Sequence, residues 1–203
     1  MNTSTLTTAG TATKTARNLN GPVINGLDLA ALSVNRAQIA ADSNNAQVRF
    51  AVATDWVSGT QSRSRVTGYD LAGQRIHRDF TILSDEPGEL LGGNTAPNPQ
   101  ELLLAALNAC MGVGYVAGAA LRGINLRHLR IESEAALDLR GFFGEPGIPA
   151  GAPEINLRIE IAGDADTAAF REIHAQVMKT SPNWFHLTQP VRIAAVLHVK
   201  GGG

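Results

Sequence analysis

The chain has 203 residues, 44% of them hydrophobic and only 17% charged, with 17 Lys and Arg against 18 Asp and Glu for a net charge of −1. That is a globular composition, long enough for a substantial core, and its neutrality excludes the electrostatic footprint of a nucleic-acid or anionic-membrane binder. A single cysteine, Cys110, excludes an intrachain disulfide framework and any multi-cysteine metal site, and it suits a reducing cytoplasmic setting.

Residues 1–22 are rich in Thr, Ser and Asn and read as a flexible N-terminal arm with no apolar run of the secretory kind. Residues 23–203 read as one domain. A helix is expected over 24–43, with Leu29, Leu32 and Ile39 on one stripe and Arg36 off it. Residues 46–84 read as a three-stranded antiparallel meander. Its first strand carries Val48, Phe50, Val52 and Trp56, its second Arg63 and Arg65, and its third Ile76, Phe80 and Ile82. A Gly- and Pro-rich loop follows over 85–97.

The next four residues, Asn98-Pro99-Gln100-Glu101, spell a helix start. Asn98 is the cap, Pro99 the first helical residue and Glu101 the third, completing a capping box. The central helix should span 98–122 and stop at Gly123. Its residues 102–121 form a run of 20 without a charge, long enough to cross a bilayer. The polar Asn108 at mid-run, the soluble-type cap and the amphipathic segments on either side favour the central helix of a soluble core instead.

Residues 124–200 read as β-β-α-β. Leu129, Ile131, Ala135, Leu137 and Leu139 share one parity, and Ile155, Leu157, Ile159 and Ile161 alternate cleanly. Between them lies a Gly/Pro loop over 141–153 bearing Phe142 and Phe143. An amphipathic helix over 167–179 carries Phe170, Ile173, His174 and Val177 and ends at Ser181-Pro182. Val191, Ile193, Ala195, Leu197 and Val199 predict a last strand. The order α, β-β-β, α, β-β, α, β is α+β with largely antiparallel pairing. The central helix has almost no polar face, so a sheet must wrap it or a partner chain must cover it.

Residues four apart share a helix face, and Ala106, Cys110, Gly114 and Gly118 form one such row of small side chains. A row of this kind admits a second helix at close range. The reading favoured by sequence is the same helix of a second subunit about a twofold axis; the other is the chain's own sheet or third helix. Cys110 is then either a buried inert thiol or a reactive one. Reactivity requires a cation or hydrogen bond brought from elsewhere, because a mid-helix position gains little from the dipole.

The stretch 85–110 (DEPGELLGGNTAPNPQELLLAALNAC) resembles the OsmC/Ohr superfamily, as does 174–191 (HAQVMKTSPNWFHLTQPV). The Trp56 region and the stretch 137–143 (LDLRGFF) resemble its divergent single-cysteine branch. The resemblance implies an OsmC-like intertwined α+β homodimer, with sheets wrapped around two central helices. It also implies cysteine-dependent reduction of organic hydroperoxides, with Cys110 at the peroxidatic position. An early-strand arginine would hold the thiolate; Arg63 is the favoured candidate, with Gln61 and Arg65 as alternatives. Gln100 stands where the resemblance places that arginine's glutamate partner, followed by Glu101. Ser181 stands at the resolving-cysteine position, so reduction would fall to an external thiol. Ten residues of helix rise about 15 Å, and Glu101 faces away from Cys110, so Gln100 or Glu101 could act only on another subunit's cysteine. For Glu101 the capping role is favoured.

Trp184, Phe185, Phe142 and Phe143 are candidates for an apolar pocket near Cys110, or for ordinary core or dimer contacts. The five histidines are scattered, with no ligand pair, so no metal is expected, and no other cofactor is. Two function classes stand. One is a cytoplasmic homodimeric hydroperoxide reductase of oxidative-stress response, using an external thiol. The other is a non-catalytic dimer holding a small apolar ligand at the subunit interface. A stress-associated structural dimer is a third option.

Overall fold

The computed structural model describes residues 21–201; most of the arm expected over 1–22 lies outside them. The described chain opens with a two-residue hairpin, β1 (Val23–Ile24) and β2 (Leu27–Asp28), before α1 (Leu29–Ala41). The helix expected from residue 24 therefore starts five residues later. Asn25 at φ 52° and Gly26 at φ 79° make the turn, the Asn-Gly signal of a tight hairpin. Asp28 then caps α1, its carboxylate accepting from Ala31 N–H at 3.0 Å. The Asn25 side chain ties this hairpin to the rest of the chain, donating to Ile124 C=O at 2.9 Å and accepting from Leu126 N–H at 2.8 Å.

The expected three-strand meander contains four strands: β3 (Val48–Phe50), β4 (Ala53–Ser58), β5 (Gln61–Leu71) and β6 (Gln74–Ser84). All pairing is antiparallel, with β5 central, β6 on one side, and β3 and β4 sharing the other. The single strand expected over Val48 to Trp56 is broken at Ala51 and Val52. Phe50 pairs with Tyr69 and Ala53 with Arg65, so β5 contributes one residue more than its neighbour and the ladder cannot run through.

The central helix, α2 (Pro99–Ala120), begins as its cap predicts. Asn98 Oδ1 accepts from Glu101 N–H and Glu101 Oε2 accepts from Asn98 N–H, both at 2.8 Å. Its last residue precedes the expected Arg122 by two; Gly123, at φ 73°, lets Ile124 N–H return to Ala119 C=O at 3.0 Å. The second sheet is the hairpin β7 (Leu126–Glu134) and β8 (Asn156–Gly163). The strand expected to reach Leu139 ends at Glu134, because β8 begins opposite it at Asn156. Asp138 instead caps a short helix, α3 (Leu139–Phe142). Two helices complete the fold, α4 (Thr167–Thr180) and α5 (Pro182–Thr188); the second had no counterpart in the sequence reading.

The core lies between α2, the β7–β8 sheet and α4. Leu107, Met111, Tyr115 and Ala119, one row of α2, are buried with Ile124, Ile173 and Val177. Leu129, Ile131, Leu157, Ile159 and Ile161 close the core from the sheet. Helix α2 is long and apolar enough to span a membrane by length and composition; the buried row accounts for only part of that apolarity, with 22% of its most apolar window buried among the described residues. The segment expected as a last strand is a correction: residues 190–200 form neither helix nor strand and pair with no described strand, and Ile193 is 89% exposed. Alternation gives a strand its faces, but a strand also needs a ladder, which this chain does not offer the segment.

Candidate functional site around Cys110

Cys110 sits midway along α2, half-buried. The row of small residues it belongs to meets α4 of its own chain. A Cβ on Gly114 would lie 3.1 Å from Val177 Cγ2, and one on Gly118 3.2 Å from Ile173 Cγ2. Of the two expectations for this row, the chain's own third helix fills its Gly114 and Gly118 end, while Ala106 at the other end is exposed. Ile173, Val177 and Ser181 are four residues apart and face Gly118, Gly114 and Cys110 in turn. What α2 leaves uncovered is another stripe, Ala105, Ala109 and Val113, of which Val113 is 70% exposed.

At the end of this helix–helix contact, Ser181 Oγ donates to Cys110 Sγ at 3.3 Å. The resemblance places a resolving thiol at Ser181, and the structure puts this residue beside the sulfur across 71 positions of chain. Ser181 is buried and caps α5, its hydroxyl accepting from Trp184 N–H at 3.4 Å. Pro182 is the first residue of α5, which favours this cap. One residue on, Asn183 donates to Ala106 C=O at 2.8 Å, the carbonyl one helical turn before Cys110. Sequence reasoning missed Asn183, since nothing in a Ser-Pro-Asn run foretells that its amide reaches a helix 77 residues away.

The other expected site residues lie elsewhere in the chain. Arg63 and Arg65 stand on β5, opposite Asp55 and Ala53 of β4. Gln100 is exposed in the first turn of α2. Among the described residues, no hydrogen bond or ion pair links Arg63, Arg65 or Gln100 to Cys110, whose hydrogen-bond partner is Ser181. Glu101 is engaged in the capping box. Gln61 belongs to a different cluster, its amide donating to Asp85 at 3.4 Å and to Thr95 at 3.3 Å.

Asp85 is fully buried and organises the loop before α2. Its carboxylate accepts from Thr60 Oγ1 at 2.6 Å, Thr95 Oγ1 at 2.7 Å, and the N–H groups of Glu86, Gly93 and Thr95. The Thr60 hydroxyl, then that of Thr95, holds it well below the usual carboxylate range. Where α2 meets α4, buried Tyr115 shares a 2.5 Å hydrogen bond with His174 Nδ1, and burial pushes its phenol up to about 12. Neither cluster is hydrogen-bonded to the sulfur.

Of the four aromatic candidates, Trp184 packs against the core and lines a groove of about 210 Å³ with Leu107, Ile155, Leu157 and Leu187. Phe185 is 56% exposed beside His186. Phe142 and Phe143 stack edge to face on an exposed tip, 73% and 80% accessible, and do not line that groove. Among the described residues no three His, Cys, Asp or Glu side chains gather as a metal site would require.

A family profile described as OsmC-like protein matches residues 92–195. In solved structures the fold is similar to that of an OsmC-like protein from Mycoplasma pneumoniae. The TM-score is 0.52 at 19% identity, over 68% of this chain and 86% of that one. It is also similar to an OsmC-like protein of unknown function from Vibrio cholerae, with TM-score 0.50 at 11% identity over 67% and 91%. An organic hydroperoxide resistance protein from Legionella pneumophila aligns at TM-score 0.45 and 16% identity over 68% and 90%. No curated protein matches the chain in sequence. Likeness at these identities concerns the fold.

Proposed function

Because the chain belongs to the OsmC-like protein family, we propose that it reduces organic hydroperoxides through Cys110 and is recycled by an external thiol. The observation that carries this reading is the Cys110–Ser181 contact, which puts the half-exposed sulfur against the position that the resemblance assigns to a resolving thiol. The Cys110 thiolate attacks the terminal oxygen of the hydroperoxide. An S–O bond forms, the O–O bond breaks, and the alkoxide leaves as the alcohol after taking a proton. The resulting sulfenic acid meets a hydroxyl at Ser181, which cannot form a disulfide. An external thiol therefore attacks the sulfur and releases water, and a second external thiol resolves the mixed disulfide. The sum is hydroperoxide plus two thiols giving alcohol, water and one external disulfide.

The working unit in this proposal is a cytoplasmic homodimer built on α2, through the Ala105–Ala109–Val113 stripe instead of the Cys110 row. Two further features support it. Phe50, Trp56 and Phe80 stand exposed on the first sheet at 70%, 76% and 49%, and the alternating segment 191–199 has no ladder in its own chain. An arginine for the thiolate, Arg63 or Arg65, would then come from the partner, if its first sheet covers α2 in that dimer.

A second reading rests on the groove beside Trp184. Its apolar residues, beside the polar Glu154 and Thr188, would hold a small, largely apolar ligand in a non-catalytic dimer. Consumption of an alkyl hydroperoxide in the presence of a dithiol separates the two. The hydroperoxidase reading expects turnover by the wild type and none by Cys110→Ser. Equal rates, or none in either, leave the binding reading.

A further inference from the structure

Ser181 has a use beyond ending α4. Its main chain is held from both sides: its N–H donates to Val177 C=O at 2.9 Å, and its C=O accepts from Phe185 N–H at 3.0 Å. Its side chain is 5% exposed. The hydroxyl has one proton and two acceptor positions. Trp184 N–H takes an acceptor position, and the proton points to Cys110 Sγ. Asn183, anchored to Ala106 C=O, fixes the start of α5 against the turn of α2 that carries the cysteine. The donor is therefore set in place before any reaction, which is the arrangement that favours a developing negative charge.

We infer that Ser181 is a positioning residue: its buried hydroxyl, aligned as the cap of α5, donates to the Cys110 sulfur and stabilises it as the thiolate nucleophile. This rests on the reading of Cys110 as the nucleophile, and it goes beyond the resemblance, which assigns the position only to a second sulfur. A hydrogen bond to an ionised sulfur favours the charged form, which is the form that attacks. The other titratable groups on the packed elements are Glu101 and Tyr115 on α2, with Arg122 just beyond it, Arg171, Glu172, His174 and Lys179 on α4, and His186 on α5. None of them is hydrogen-bonded to the sulfur.

The test is the rate of Cys110 alkylation by iodoacetamide, followed across the titration of the thiol, in wild type, Ser181→Ala, Ser181→Thr and Ser181→Gly. Loss of the donor should slow alkylation on the acidic limb by about tenfold and move the midpoint of the profile upward. Threonine, which keeps the hydroxyl, restores the wild-type profile. Glycine removes the donor at little cost to the cap and adds no charge, so it stays informative if the alanine protein folds poorly, and it should also slow the reaction. A residue that merely shields the sulfur behaves oppositely: alanine then speeds alkylation at every pH with no movement of the midpoint. That result, or an unchanged profile in both donor-less variants, overturns the inference. The alkylation readout is independent of turnover. A shifted profile with no hydroperoxide consumption leaves Ser181 standing and removes the peroxidase reading, while consumption with an unshifted profile does the reverse.

Discussion

Replacing Ser181 by cysteine should turn the site into a dithiol pair. The serine oxygen lies 3.3 Å from Cys110 Sγ, and a disulfide is about 2.05 Å long, so the atoms must close a gap of roughly 1.2 Å, part of it supplied by the longer bond from Cβ to sulfur. Treated with one equivalent of alkyl hydroperoxide, Cys110 becomes a sulfenic acid. The new thiol attacks it, the S–S bond forms, and water leaves. The bond spans 71 positions, for which chain entropy gives a stabilisation of about 4 kcal/mol over the reduced form, less any strain. The reduced variant loses the serine cap of α5, worth about 1 kcal/mol. In a domain of this size, the oxidised variant should melt roughly 10 °C above its own reduced form. Intact mass two hydrogens below the reduced chain, no free thiol, and melting with and without dithiol are the measurements. Two thiols persisting after oxidation, or disulfides only between chains, would refute the geometry on which the site rests.

Three further outcomes follow from other contacts. Val113→Asp puts a charge on the uncovered stripe of α2, so sedimentation should give two chains for the wild type and one for the variant; a single-chain wild type contradicts the proposed dimer. Gly114→Leu forces a side chain into space where a Cβ already meets Val177 at 3.1 Å. Overpacking of this kind costs about 1–3 kcal/mol, a melting temperature lower by roughly 3–10 °C, and an unchanged melt would deny the α2–α4 contact. Asp85, held low by Thr60 and Thr95, contributes stability that is present above its unfolded value of about 3.9 and is lost as pH falls through the lower folded value. Asp85→Asn should therefore melt lower at neutral pH and lose part of the acid dependence below about pH 4; an unaltered acid profile would contradict this.

The elements governed by local chemistry were legible in the sequence. The Asn98–Glu101 box placed the start of α2, and the alternation of Ile155 to Ile161 announced β8. Errors arose where pairing or packing decides. Strand register broke β3 from β4, a matter of which residues of β5 stand opposite. The Asn25-Gly26 turn was a readable signal that the helical stripe of Leu29, Leu32 and Ile39 overshadowed. The small-residue row was recognised, but the same row fits any helix at close range, and only the positions of Ile173 and Val177 show that α4 fills it. At the site, sequence identified Cys110 and named Ser181 through a resemblance, while reading Ser181 itself as a helix stop. That its hydroxyl meets the sulfur follows from the path of α4 along α2, a long-range consequence of glycines at 114 and 118. Arg63, Arg65 and Gln100 were joined to Cys110 by resemblance alone, and the single chain does not join them.

The most direct measurement is stoichiometric. Reduced wild-type protein receives one equivalent of an alkyl hydroperoxide and is trapped with a cyclic 1,3-dione, and the adduct is mapped by mass spectrometry. The account predicts a sulfenic acid adduct at Cys110, formed as the hydroperoxide disappears and absent when dithiol is added before the trap. Intact hydroperoxide beside an unmodified Cys110 would contradict it.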